Sequence, residues 1–378
     1  LTGRFELGDD QVTLNGTYST TASSGPFRVL GATTLTGNTT VNWGTSNVYF
    51  GGTINADIAD IRNLTLQSAG QTTLAGLVGN TTRLGDFNSD GVGPISSVGI
   101  TTRFGMALND AAAVIQGTFQ GTSGIVEING AITLVGNTTV ATGADIFLSS
   151  VNGPFDLTVN PGAQAVFSGP TGNITPLNSL TSNASFRTRF SNNSASANTI
   201  TIAGPLELNG TVTLNTVGGP LSLLGTVSGS GSSLILTGSG QTTFASTVFI
   251  VALSNQRTGT TFVGADQFTF DSMTHAGPVV LTADVSFTGT TGLTFESTID
   301  SDSSPRSLTL KSDGLTDLRA SLGATSALGS VESDAAGSLA VFGITSDGAQ
   351  TFNDAAISLR GTYSTGNSNF TVHGPVVL

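Results

Sequence analysis

Residues Gly85 to Gly91 read GDFNSDG, which places Asp86, Asn88 and Asp90 at alternate positions ahead of a glycine. This is the opening spacing of a calcium loop, where oxygen-bearing side chains at alternate positions converge on one hard cation and glycine permits a sharp turn. Such a loop also needs an acidic ligand at its twelfth position, and here that residue is Ser97. Asp86, Asn88 and Asp90 are therefore candidate calcium ligands with an incomplete set. Aligning RLGDF with ALGSV sets Asp86, Asn88 and Asp90 opposite Ser330, Glu332 and Asp334, and opposite Ser179, Thr181 and Asn183 in another copy. The stretch then reads chiefly as a recurrent turn, and no other cofactor is expected.

A second constellation is Glu296, Asp300 and Asp302 beside Arg306 in FESTIDSDSSPR. Two carboxyl groups across a cleft are what glycoside hydrolysis requires, but carboxylates also gather in turns for their own hydrogen-bonding reasons. This segment reads as a turn between strands. The two histidines, His275 and His373, stand just ahead of AGPVVL and GPVVL. Recurrence in that place argues for a structural role beside a turn, since a catalytic base is needed once. With no nucleophile motif nearby, no catalytic residue is assigned and the chain is expected not to be an enzyme.

The elements that would hold these residues are strands. Charged residues make up 10% of the 378, against roughly a quarter in an ordinary soluble domain. The hydrophobic 38% comes in short Val, Leu, Ile and Phe clusters separated by Gly, Ser, Thr and Asn. Val285 and Phe287, Leu293 and Phe295, and Leu308 and Leu310 alternate with the period of two that strands require. Between them lie TGTTG and DSDSSP, which are turn clusters. No segment sustains a helical period.

Composition also excludes function classes. A formal net charge of −12, with Lys311 as the only lysine, provides no basic stripe for phosphates, so nucleic acid is not an expected partner. The absence of cysteine removes disulfides, thiolate metal sites and cysteine nucleophiles. No run approaches the roughly 18 apolar residues of a membrane span. Sequons at Asn15, Asn38, Asn80, Asn137 and Asn369 permit surface glycosylation in a suitable host. Threonine-rich phrases such as TGNTTV raise a water-ordering face, but a strict coil-to-coil Thr-x-Thr register is not evident in the sequence.

The chain repeats. GPVVL occurs at Gly277 and Gly374, with looser copies at Gly31 (GATTL), Gly130 (GAITL) and Gly204 (GPLEL). These anchors near 31, 130, 204, 277 and 374 mark four modules in two sizes. A cassette, GTYST at Gly16 and Gly361 and GTFQG at Gly117, has an aspartate seven residues upstream: Asp9, Asp354 and Asp110. The short modules lack it, and the difference of about 25 residues is close to one coil of a solenoid. The expected fold is all-β, a parallel β-helix (β-solenoid) of degenerate modules forming one continuous repeat array over residues 1–378. Tandem β-sandwich domains are the alternative, disfavoured because a sandwich cannot usually lose a quarter of its length and keep its topology.

The succession of LTL, GQTTL, GIT, DAA, GTY and GPVVL resembles the β-strand repeats of large secreted bacterial surface proteins, similar in style to filamentous-haemagglutinin-type adhesins. That resemblance implies an extracellular or cell-surface fibre or adhesive stalk. The chain finishes on FTVHGPVVL with no charged cap, so the expectation is continuation in a longer polypeptide or end-to-end self-association. A structural fibre, filament subunit or adhesin segment, with surface glycans among its possible partners, is the expected function; a carbohydrate-binding or carbohydrate-degrading β-helix is the alternative.

Overall fold

The computed structural model describes residues 4–20, 25–334 and 336–378. Among them are forty strands and no helix. The chain divides into two compact units, Leu1–Thr188 and Arg189–Leu378, and each is a β-solenoid. Pairing within each is parallel, between a strand and its counterpart roughly 20 residues further along, which rules out the antiparallel sheets of a sandwich.

Each coil has three faces. In the first unit the inward residues of the first face stack as Phe5, Phe27, Val48, Thr72, Ile95, Ala113 and Ile132. Those of the second stack as Val12, Thr33, Ile54, Val78, Ile100, Phe119 and Val140. The third column holds Tyr18, Val41, Leu66, Ser89, Leu108, Ile128, Leu148 and Phe167. Alternation of side chains across each strand sends these inward while their neighbours face solvent. Each fully buried Leu, Val or Phe contributes roughly 1.5–3 kcal/mol relative to exposure, and aromatic stacking adds to it where Phe5 and Phe27 lie 4.8 Å apart.

The second unit repeats the plan. Its first face stacks Leu214, Leu236, Asn255, His275, Phe295, Leu318, Val341 and Leu359. Its second runs through Ile200, Leu221, Thr242, Thr261, Val279, Ile299, Leu322 and Ile344. The third contains Leu206, Val227, Val248, Phe268, Phe287, Leu310, Ser333 and Phe352.

The repeated phrase does not keep to one face. GATTL leads into Thr33 on the second face, and GAITL into Ile132 on the first. Along the chain, Ile132 is fourteen strand positions after Thr33: four coils and two faces. In the second unit GPLEL introduces Leu206 on the third face, GPVVL introduces Val279 on the second, and its later copy introduces Val376 on the first. Leu206 to Val279 is eleven positions and Val279 to Val376 fourteen, so long and short modules differ by three positions, which is one coil. Within each unit, therefore, a module starts one face earlier than the one before it. The cassette glycines Gly16, Gly117 and Gly361 have φ of 82, 83 and 79° and turn the chain from one face to the next at a break in strand register.

Outward residues also align. Thr17, Thr40 and Thr65 form a row on the third face, and Thr118, Thr139, Thr158 and Thr181 form one on the second. Threonine is thus in coil-to-coil register only in single file, without a paired Thr-x-Thr row: two residues on from the second row stand Gln120, Ala141, Asn160 and Asn183.

Candidate functional site

GDFNSDG is not a turn. Phe87–Ser89 is a strand of the third face, with Phe87 and Ser89 buried at 1% and 0% exposure. In an extended chain, residues two apart stand roughly 6.5–7 Å apart, so Asp86, Asn88 and Asp90 are strung along the outer surface instead of converging on one point. Asp86 is engaged elsewhere: its Oδ1 accepts the Gly105 N–H at 2.9 Å, and its own N–H donates to Asn63 Oδ1 at 2.9 Å. Ser97 lies buried in the next coil. The described residues contain no group of three His, Cys, Asp or Glu able to hold a metal ion.

The residue of the stretch that makes a buried contact between side chains is Ser89. Its hydroxyl donates to Asp110 Oδ1 in the following coil at 3.0 Å. Asp110 is 3% exposed, and its other oxygen, Oδ2, is buried without a hydrogen-bond partner. Burial pushes this carboxyl up to about 6, opposed by the Ser89 hydroxyl and the Gly91 N–H and reinforced by the negative charge of Asp90. The same arrangement recurs in the second unit. Ser333 Oγ donates to Asp354 Oδ1 at 2.9 Å; Asp354 is 3% exposed with Oδ2 unpartnered, and burial raises it too, aided by Asp334. Asp110 and Asp354 are the cassette aspartates, so their spacing was visible in the sequence, but nothing there marked them as buried. The third, Asp9, is exposed.

The acids of FESTIDSDSSPR serve three separate structural contacts. Asp300 Oδ1 accepts the backbone N–H groups of Thr325 at 2.8 Å and Ser326 at 3.3 Å, capturing the loop that leaves Gly323, whose φ is 66°. Asp302 is clasped by both guanidinium arms of Arg306, each at 3.0 Å, and that bonding holds it below the usual carboxylate range. Glu296 pairs with Arg319 at 3.1 Å. The first unit has a matching set. Asn55 Oδ1 accepts from Thr81 and Thr82 at 3.0 and 3.2 Å, after Gly79 with φ of 68°. Asp57 is clasped by Arg62 at 2.7 and 3.1 Å and held low by it.

The histidines are not equivalent. His275 is 3% exposed within the apolar first column, its Nδ1 3.1 Å from Asn255 Nδ2, and its Nε2 unpartnered. Burial lowers its pKa to about 4. His373 is exposed. Sequence reasoning missed Arg257 altogether: in QRTGTT it looks like a surface loop cation, yet it is fully buried. Its guanidinium donates to the carbonyls of Thr237, Gly219, Gly240 and Gln241 at 2.7–3.2 Å and to the Thr216 hydroxyl. Burial without a counter-anion lowers its pKa.

One open trough, about 490 Å³ in volume, lies on the third face of the first unit, bordered by Asp86, Asn88, Met106, Ile125 and Glu127 and flattened by Gly105 and Gly124. No helix among the described residues is long and apolar enough to cross a membrane. No protein-family model, curated protein or solved structure matches the chain. What the fold defines is an all-β repeat protein of the β-solenoid class.

Proposed function

We propose that this chain is a structural segment of an extracellular fibre or surface stalk, with no catalysis of its own. The observation that carries this reading is how the polar side chains are used. The acids suited to chemistry, Asp300 and Asp302 among them, tie one coil to the next or clasp an arginine within their own loop, as Asn55 and Asp57 do in the first unit. Outward positions include short rows of Thr, three on the third face and four on the second, in register from coil to coil. Parallel backbone ladders running the length of each unit give stiffness without dense charge or disulfides.

A carbohydrate-binding role is the second reading, favoured by the trough beside Asp86 and Glu127, where carboxylate oxygens flank the outward Ala107 and the exposed Ile125; sugars present hydroxyls and apolar ring faces together. Electron microscopy of the purified chain, with mass measurement in solution, tests the first reading: filaments or end-to-end assemblies support it, and compact monomers at all concentrations count against it. A glycan array tests the second, with binding lost in Glu127→Ala as the expected result.

A further inference from the structure

Two buried aspartates, one in each unit, share an arrangement that the fibre reading leaves unused. Asp110 and Asp354 each sit at the corner after a third-face strand, receive one hydroxyl from a serine 21 residues earlier, and leave one carboxyl oxygen buried and unpartnered. Their serines, Ser89 and Ser333, are polar rungs in otherwise apolar columns. Among the described residues no arginine or lysine bonds to either carboxyl; the charged groups acting on them are acidic, Asp90 on Asp110 and Asp334 on Asp354.

An ionised carboxylate in such a place is costly, because it lacks both a cation and a donor for its second oxygen. The neutral carboxyl is far less so. We propose that Asp110 and Asp354 are matched proton-binding latches, each closing its coil onto the coil before it when the carboxyl is protonated and loosening that junction when the carboxylate forms. The serine hydroxyl keeps its acceptor in both states, so the junction changes in strength and not in register. Both groups have raised affinity for the proton, that of Asp110 lifted to about 6. A raised folded-state value means that the stabilisation is fully present below the ordinary value of 3.8 and is lost as pH rises through the folded-state value, about 6 for Asp110.

The test begins with the unaltered protein. With carboxyl-labelled aspartate, NMR titration is expected to show two resonances titrating well above the rest, one of them near pH 6, and Asp110→Asn and Asp354→Asn should each remove one. Hydrogen exchange at residues 87–93 and 331–337, corrected for the intrinsic pH effect, should be faster at pH 7.5 than at pH 4.5, and each Asn variant should abolish the difference at its own junction. All aspartates titrating below pH 5, or exchange independent of pH at both junctions, overturns the proposal. So does a calcium-dependent rise in Tm at pH 7 that Asp110→Asn removes, since the unpartnered oxygen would then be a cation ligand.

Discussion

The guanidinium of Arg257 donates to the carbonyl oxygen of Gly240 at 2.7 Å, from a side chain with no exposed surface. The same group reaches Thr237 and Gly219, so one arginine ties together three successive coils. Arg257→Ala strands several buried carbonyls at once, and should cost on the order of 3–5 kcal/mol, read as a drop in the urea midpoint. Arg257→Lys retains the charge but not the planar fork and should recover only part of the loss.

Asn55 and Asp300 hold equivalent loops, and the glycines at the mouths of those loops have no freedom to change. A Cβ on Gly79 would lie 2.1 Å from the Thr101 carbonyl, and one on Gly323 2.0 Å from that of Thr345, both at positive φ. Gly79→Ala should cost about 2–4 kcal/mol from left-handed strain and overpacking together. At Gly16, where nothing lies within 4 Å of the added carbon, Ala should cost only about 1–2 kcal/mol. Asn55→Ala should cost about 1 kcal/mol. Thermal melts of the three variants check the ranking.

His275 gives a pH effect of known sign. Its folded-state value is depressed to about 4 from 6.5, so the stability linked to its neutral form is present above 6.5 and is lost as pH falls from there through about 4. The buried aspartates act in the opposite direction over an overlapping window, and wild-type melting alone would mix the two. The difference between variant and wild type separates them: the Tm of His275→Gln should gain on wild type toward acid pH, and that of Asp110→Asn should gain toward neutral pH. Two differences of the same sign would contradict the burial of one of these groups.

Asp86 and Asp90 should be dispensable for folding. Asp86→Ala loses one hydrogen bond, to Gly105, and Asp90 is exposed, so the pair should cost about 1–1.5 kcal/mol together. Assembly should be unaffected and the Tm insensitive to calcium. A calcium-dependent shift abolished by these changes would restore the metal site.

The strands, their period of two and the one-coil difference between modules were legible because apolar alternation and the cassette glycines are local signals. Which face a phrase occupies was not, because GATTL and GAITL fit different faces equally well and only the count of strands between them decides. GDFNSDG misled because its flanking glycines look like those of a loop, while the residue facing inward, Ser89, is as ordinary in type as its neighbours. Buried Arg257 and Asp110 were invisible for a related reason: their partners are backbone carbonyls, or a hydroxyl, from other coils, and a sequence shows type without depth.

The interchangeability of faces makes a prediction at Thr33. Thr33 is 2% exposed and its hydroxyl is buried without a partner, while Ile132 fills the corresponding place in GAITL, also at 2% exposure. Replacing the hydroxyl by a methyl removes an unsatisfied polar group and keeps the branched shape. Thr33→Val should therefore stabilise the protein by about 1 kcal/mol, visible as a higher Tm.

The modules also predict which deletions the chain survives. Ser338 pairs with Ala356, so removing residues 338–355 takes out one coil and joins Gly337 to a strand that already has the register of the one lost. This converts a fourteen-position module into an eleven-position one, as found between Leu206 and Val279, and the shortened protein should melt cooperatively with an unchanged β-sheet circular-dichroism shape. Removing residues 338–345 alone takes two faces out of three. Gln350, whose amide donates to the Ile344 carbonyl and the Ser346 hydroxyl, would lose the first and be moved to a different face. That variant should lose protease protection from residue 331 onward, and equal protection in the two deletions would show that the coil is not the unit the chain can gain or lose.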